Sequence, residues 1–113
     1  LLTFLARKNS YSECGFLGFN TKHEYFQQYL QSIIDIYVTG KIFSLEQWHD
    51  SWIWDYLRID FERKYNIENR NISGEGYHST HPFMLSGLQK YFDHLKGPEN
   101  KKIGRSLPND FKR

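Results

Sequence analysis

The sequence predicts a single α/β domain. Three observations carry that prediction. The chain opens in an apolar run, Leu1-Leu2-Thr3-Phe4-Leu5-Ala6, too short for a signal or a membrane span, which reads as a strand. A second apolar stretch, Tyr11 to Asn20, is interrupted by Gly15 and Gly18, and glycines within a strand pattern mark bulges or the close approach of another group. Two later stretches carry apolar residues at spacings of three and four behind helix-start signals. A length of 113 residues suits one modest domain.

Taken in order, Thr3 to Arg7 reads as a short strand and Lys8-Asn9-Ser10 as a polar turn. Phe16, Leu17 and Phe19 are candidate core residues, and Glu13 is a carboxylate at the mouth of an apolar strand. Thr21-Lys22-His23-Glu24 fits a capping box. The helix behind it places Phe26, Tyr29, Leu30, Ile33, Ile34 and Tyr37 on one face, and Thr39-Gly40 stops it. Ser44-Leu45-Glu46-Gln47 is a second capping box, followed by Leu45, Trp48, Trp52, Ile53, Tyr56, Leu57 and Phe61 at helical spacing. His49 and Asp50 fall near that helix start, where backbone N–H groups and the helix dipole favour an acid or an anion.

Asn66 to Pro82 is rich in Asn, Ser and Gly and reads as a loop flanking a site. Gly74-Glu75-Gly76 lacks the third glycine and the strand-turn-helix context of a dinucleotide fingerprint. Phe83 to Leu95 has a short helical pattern, with Gly97-Pro98 as its stop, and leaves a strand entering His94 as the alternative. The same segment, Tyr91 to Lys102, joins His94, Gly97 and a lysine pair. Imidazole can ligate a divalent metal, glycine lets backbone approach a ligand, and lysine brings compact charge to phosphate.

Net charge is +2, but its distribution is uneven. From Lys96 onward six basic residues face two acidic ones, a surplus of four that leaves residues 1–95 at −2. Such a tail suits phosphates, nucleic acid or an anionic membrane, or is a solvated terminus. Aromatic residues make up 18% of the chain, enough for a core and for sugar- or base-stacking faces. The single cysteine, Cys14, excludes an internal disulfide and favours a reducing, cytoplasmic setting. No stretch has the length of a membrane span.

Three stretches taken in order resemble the C-terminal half of nucleotide-sugar glycosyltransferases of the GT-A type. They are Glu13-Cys14-Gly15-Phe16-Leu17-Gly18-Phe19-Asn20, Trp48-His49-Asp50-Ser51-Trp52-Ile53-Trp54-Asp55 and Asp93-His94-Leu95-Lys96-Gly97. The likeness is to the glycogenin and bacterial galactosyltransferase type and to sugar transferase-like proteins of bacteria and phages. That type has an Asn-x-Gly strand, an Asp-Gln helix start and a His-x-x-Gly-x-x-Lys motif. The resemblance implies a Rossmann-like GT-A fold whose acceptor-side half is residues 1–95, with residues 96–113 as a basic phosphate-side loop and tail.

It further implies His94 as a ligand of manganese or magnesium. Lys96, Gly97 and Lys101 would lie on the diphosphate side, Glu13 and Asp50 at the reacting sugars, and Trp48, His49 and Gly15 at the acceptor. The partners implied are a nucleotide-sugar donor and a glycan or other hydroxyl acceptor, with nucleic acid disfavoured. Ser51 stands where the type has glutamine, and Lys101 lies one position beyond the family lysine. The chain has no Asp-x-Asp, which in this family supplies the other metal ligands. A fragment lacking the nucleotide-binding half, and inactive alone, is therefore the expectation.

Two rival functions follow from the residues. A non-catalytic module would hold glycan or nucleic acid with its aromatics and basic tail, although basic and aromatic residues are not interleaved as stacking platforms require. A metal hydrolase would use His78, His81 and His94, although no His-Glu-x-x-His spacing is present.

Overall fold

A computed structural model describes residues 1–8, 10–78, 82–95 and 97–105. The chain is mixed α/β, and the described residues form a small three-stranded sheet and three α-helices. Strands β1 (Leu2–Arg7) and β2 (Ser10–Phe19) form an antiparallel hairpin. Helix α1 (Phe26–Val38) and helix α2 (Asp50–Tyr65) follow. Strand β3 (Arg70–Asn71) then pairs parallel with β1, so that β1 is central in the order β2-β1-β3. A short helix α3 (Gly97–Ile103) follows the segment that holds His94.

The alternation of β1 explains its two-sided burial. Leu2 and Phe4 enter a core shared with Tyr29 and Ile36 of α1 and Ile53, Leu57 and Phe61 of α2. Leu5 points the other way and packs with Phe83 and Met84. Successive strand side chains face opposite sides, so one apolar strand serves both clusters. Helices cover one face of the sheet, and the segment Pro82–Leu95 covers the other.

The pairing of β1 with β2 is irregular. Thr3 opposes Gly18 and Leu5 opposes Glu13, leaving Cys14 to Leu17 opposite Phe4 alone; a second shift separates Leu5–Glu13 from Arg7–Ser10. Extra residues on one strand bend it and re-aim its side chains, which is why bulges gather next to sites. Gly15 lies within the larger bulge.

Both helices begin later than their capping boxes predict. Asn20 Oδ1 accepts from Lys22 N–H and His23 Nδ1 from Tyr25 N–H, so residues 21–25 form turns and α1 starts at Phe26 without a side-chain cap. Ser44 Oγ donates to the Lys41 carbonyl, closing a 3-10 turn over Lys41–Ser44. His49 caps α2 in its place.

The buried face of α1 is also rotated from the predicted one. Ile36 is buried, while Ile34 and Tyr37 are exposed. Gly40, at φ 72°, ends α1 as its sequence predicts. Left-handed Asn66, at φ 51°, ends α2.

The predicted helix over Phe83 to Leu95 is not formed. Ser86 Oγ donates to the Phe83 carbonyl and accepts from Leu88 N–H, and only a 3-10 turn, Gly87–Lys90, results. Gly97, at φ 79°, opens α3 and does not close a helix before it. Asn100 on α3 is buried, so residues 97–103 pack as a helix. Among the described residues no helix is long and apolar enough to cross a membrane.

Candidate functional site

The site gathers on both flanks of β2, the outer strand beside β1. On the flank covered by Pro82–Leu95, Glu13 is the cross-strand partner of Leu5. Its carboxylate forms an ion pair with Arg7. Gly15 N–H donates to Glu13 Oε1 at 3.2 Å. A Cβ placed on Gly15 would sit 3.0 Å from His94 Cε1, 3.3 Å from His94 Nδ1 and 3.4 Å from Glu13 Oε1. His94 therefore lies against bare backbone, with the Glu13 carboxylate beside the same gap. A side chain at position 15 would push the two apart.

The imidazole of His94 is fixed from behind. Its ring stands edge-on to Phe83, with centroids 5.1 Å apart and planes at 74°. Its backbone N–H donates to Met84 Sδ at 3.1 Å. Phe83 and Met84 are buried with Leu5, so β1 anchors the loop that presents His94.

On the helix flank, Ser12 and Cys14 meet α2. Asp55 accepts from Ser12 N–H at 2.7 Å, from Ser12 Oγ at 2.8 Å and from Arg58 Nε at 3.2 Å. Arg58 also donates to Glu62 at 2.9 Å, and its guanidinium lies 4.1 Å from the centroid of Phe4. Glu62 in turn accepts from Asn69, whose own Oδ1 accepts from Leu2 N–H. This chain of partners ties β2, α2 and the entry to β3 to the central strand.

Cys14 sits in the same region. Burial, then the negative charges of Asp50, Asp55 and Glu13, push its thiol up to about 12, although a hydrogen bond from Ser51 pulls the other way. Nucleophilic chemistry needs the thiolate, so Cys14 is a packing residue at neutral pH.

Of the residues singled out from sequence, the structure brings Glu13, Gly15 and His94 together. Asp50 lies across β2 from them. It is the first residue of α2, and its Oδ1 accepts from Ser51 N–H at 2.7 Å. His49 serves the helix start, since its Nδ1 accepts from Trp52 N–H at 3.4 Å while its Nε2 is 3.2 Å from Gln47 Oε1. That pattern fits the tautomer with the proton on Nε2.

Trp48 is 60% exposed and edge-on to Phe43, with no described contact to the site. A Cβ on Gly97 would meet nothing within 4 Å, so its backbone is open to a ligand. Lys101 is exposed on α3. Lys96 and His81 lie outside the described residues.

Sequence reasoning missed Arg7, Ser12 and Asp55. Arg7 ends an apolar strand, and its link to Glu13 depends on a register that the bulges set. The one signal for Asp55 is its position a helical turn before Arg58.

An open cleft of about 470 Å³ runs along α2 beside Tyr11, lined by Trp52, Tyr56, Asp60 and Arg63 among others. Trp52 and Tyr56 stack with centroids 5.0 Å apart and planes at 9°. Among the described residues no group of three or more His, Cys, Asp or Glu side chains gathers to hold a metal ion. The Glu13 carboxylate beside His94 is engaged by Arg7, whose charge opposes a cation at the same oxygens. The described residues do not by themselves make a divalent-metal site.

Compared with protein-family models, curated proteins and solved structures, the chain matches none.

Proposed function

We propose that this chain is the acceptor-side part of a GT-A type nucleotide-sugar glycosyltransferase. One observation carries the proposal: Glu13 and Gly15 on β2 meet His94 across most of the chain's length, which joins the first and third of the stretches that resemble that family. The second stretch, at Asp50, lies on the opposite flank of the same strand segment, close enough for its charge to act on Cys14.

In this reading an acceptor hydroxyl attacks the anomeric carbon of the donor sugar. The bond from that carbon to the diphosphate breaks, and the nucleoside diphosphate leaves with the bonding pair. Glu13, oriented by Arg7, keeps carboxylate oxygens that can accept a hydrogen bond from a hydroxyl of the reacting sugar. Asp50 orients the acceptor hydroxyl from the α2 side and takes its proton as the new bond to the anomeric carbon forms. Gly97 and Lys101 take the diphosphate side, through open backbone and a mobile positive charge.

Manganese or magnesium would supply further charge to the leaving group. Because the described residues do not form its site, this chain's part is limited to one imidazole, His94.

The test is nitrogen-edited NMR of the labelled full chain, titrated with UDP-glucose and UDP-galactose, first with manganese and then with magnesium in its place. The expected result is amide shifts at Gly15, His94 and Gly97, with binding about tenfold weaker in His94→Ala, as for lost metal-site contacts. Shifts elsewhere, or none, would sink the proposal. A second reading, a glycan-binding module without chemistry, is favoured by the aromatic cleft on α2.

A further inference from the structure

We propose that the cleft along α2 is a saccharide subsite that seats a sugar ring of a neutral glycan. At about 470 Å³ it falls in the range of small-ligand sites. Its wall is aromatic: Tyr11 from β2, and the stacked pair Trp52 and Tyr56 from consecutive turns of α2. Tyr56 stays exposed beside an open cavity, where an aromatic serving only the core would be covered.

The polar part is balanced. Asp55 and Arg58 are bound to each other and to the sheet network. Asp60 and Arg63 stand exposed at the rim, one acid and one base. A phosphate or an acidic ligand would meet as many carboxylates as guanidiniums here. A sugar fits better, because it offers an apolar C–H face to a ring and a hydroxyl edge that both donates and accepts.

The cleft is continuous with the region already described. The Tyr11 ring lies 4.6 Å from that of His49, which caps α2 directly before Asp50. A glycan seated on Tyr56 would thus lead toward Asp50. Its role as the acceptor's remaining chain rests on the transferase reading; binding in the cleft does not.

The experiment is saturation-transfer NMR on the full chain with methyl glycosides of glucose, galactose, mannose and N-acetylglucosamine, and with linear trisaccharides of the same sugars. Uridine monophosphate and inorganic phosphate are the competing probes. The expected result is saturation of ring C–H protons of at least one saccharide, with affinity lowered about tenfold in Tyr56→Ala and lowered in Arg63→Ala. Both positions are exposed, and circular dichroism would confirm that the variants stay folded.

No response to any saccharide overturns the proposal. So does a response that keeps full affinity in Tyr56→Ala, or one given only by the nucleotide or phosphate. Nucleotide-sugar shifts at Gly15 and His94 are read separately. Their loss with cleft binding intact defeats the transferase reading alone, and the reverse outcome defeats this one alone.

Discussion

Replacing Asp55 with alanine should cost this fold a large part of its stability. The carboxylate accepts three hydrogen bonds, two from Ser12 and one from Arg58. Ser12 is only 4% exposed, so its backbone N–H would be left buried without that acceptor, at about 1–3 kcal/mol. The Ser12 hydroxyl can rotate, so its loss is nearer 1 kcal/mol. Arg58 keeps Glu62 and Phe4, which limits the charged term to about 1 kcal/mol.

Alanine is the better helix former by about 0.5 kcal/mol, which offsets part of this. The net is a loss of about 3 kcal/mol, equivalent to roughly 10 °C in Tm for a domain of this size. Urea unfolding followed by tryptophan fluorescence would measure it, with an unchanged denaturant slope. A double-mutant cycle with Ser12→Ala should show coupling above about 1 kcal/mol. A loss below about 1 kcal/mol, or strict additivity, would show that the network does not hold β2 to α2.

Gly76→Ala should destabilise by about 2 kcal/mol, measured by thermal melting, because its Cβ would sit 2.5 Å from the Pro82 carbonyl oxygen and 2.8 Å from Pro82 Cα. Gly15→Ala should leave stability within about 1 kcal/mol but shift the His94 imidazole resonances, because the new methyl meets that ring; Gly18→Ala, whose Cβ faces Thr3 and Phe16, should not shift them. With its thiol pushed up to about 12, Cys14 should be alkylated by iodoacetamide far more slowly at pH 8 than a free cysteine, and Asp50→Asn should speed the reaction. The folded state holds this proton more tightly than the unfolded state, so its contribution is complete below the ordinary thiol value of 9.0. Stability should therefore fall as pH rises from there toward 12, which a urea series at rising pH would follow.

The strands and the bodies of both long helices were legible because burial writes a period into the sequence. Leu2, Phe4 and Leu5 declare a strand buried on both faces, and Ile53, Leu57 and Phe61 declare a helix stripe. Helix starts were less legible because Asn20 and His23 take the nearby N–H groups after Thr21, and Ser44 has a partner close by. Neither hydroxyl caps a helix in the structure, and Ser44 satisfies Lys41 instead.

Strand β3 is two residues long, too short for any pattern, and exists because β1 offers it a ladder. Within Phe83 to Leu95, Phe83, Met84 and Leu88 pack with Leu5 while Tyr91 and Phe92 stay exposed, so no helical stripe is buried. Within the site, Glu13, Gly15 and His94 stood out by residue type. Arg7 and Asp55 did not, since their partners are fixed by bulges and by strand-to-helix packing.

The place of β1 at the middle of the sheet has a consequence for folding order. Its antiparallel neighbour follows at once, so that hairpin closes a short loop. Its parallel neighbour arrives only after both long helices, and the His94 segment docks later still along the chain. Long-range closure costs more chain entropy than local closure. The gap between Glu13 and His94 is thus among the last features to be completed, and among the first to open. Amide exchange at His94 should then report local opening of the site at free energies below those of the β1–β2 ladder.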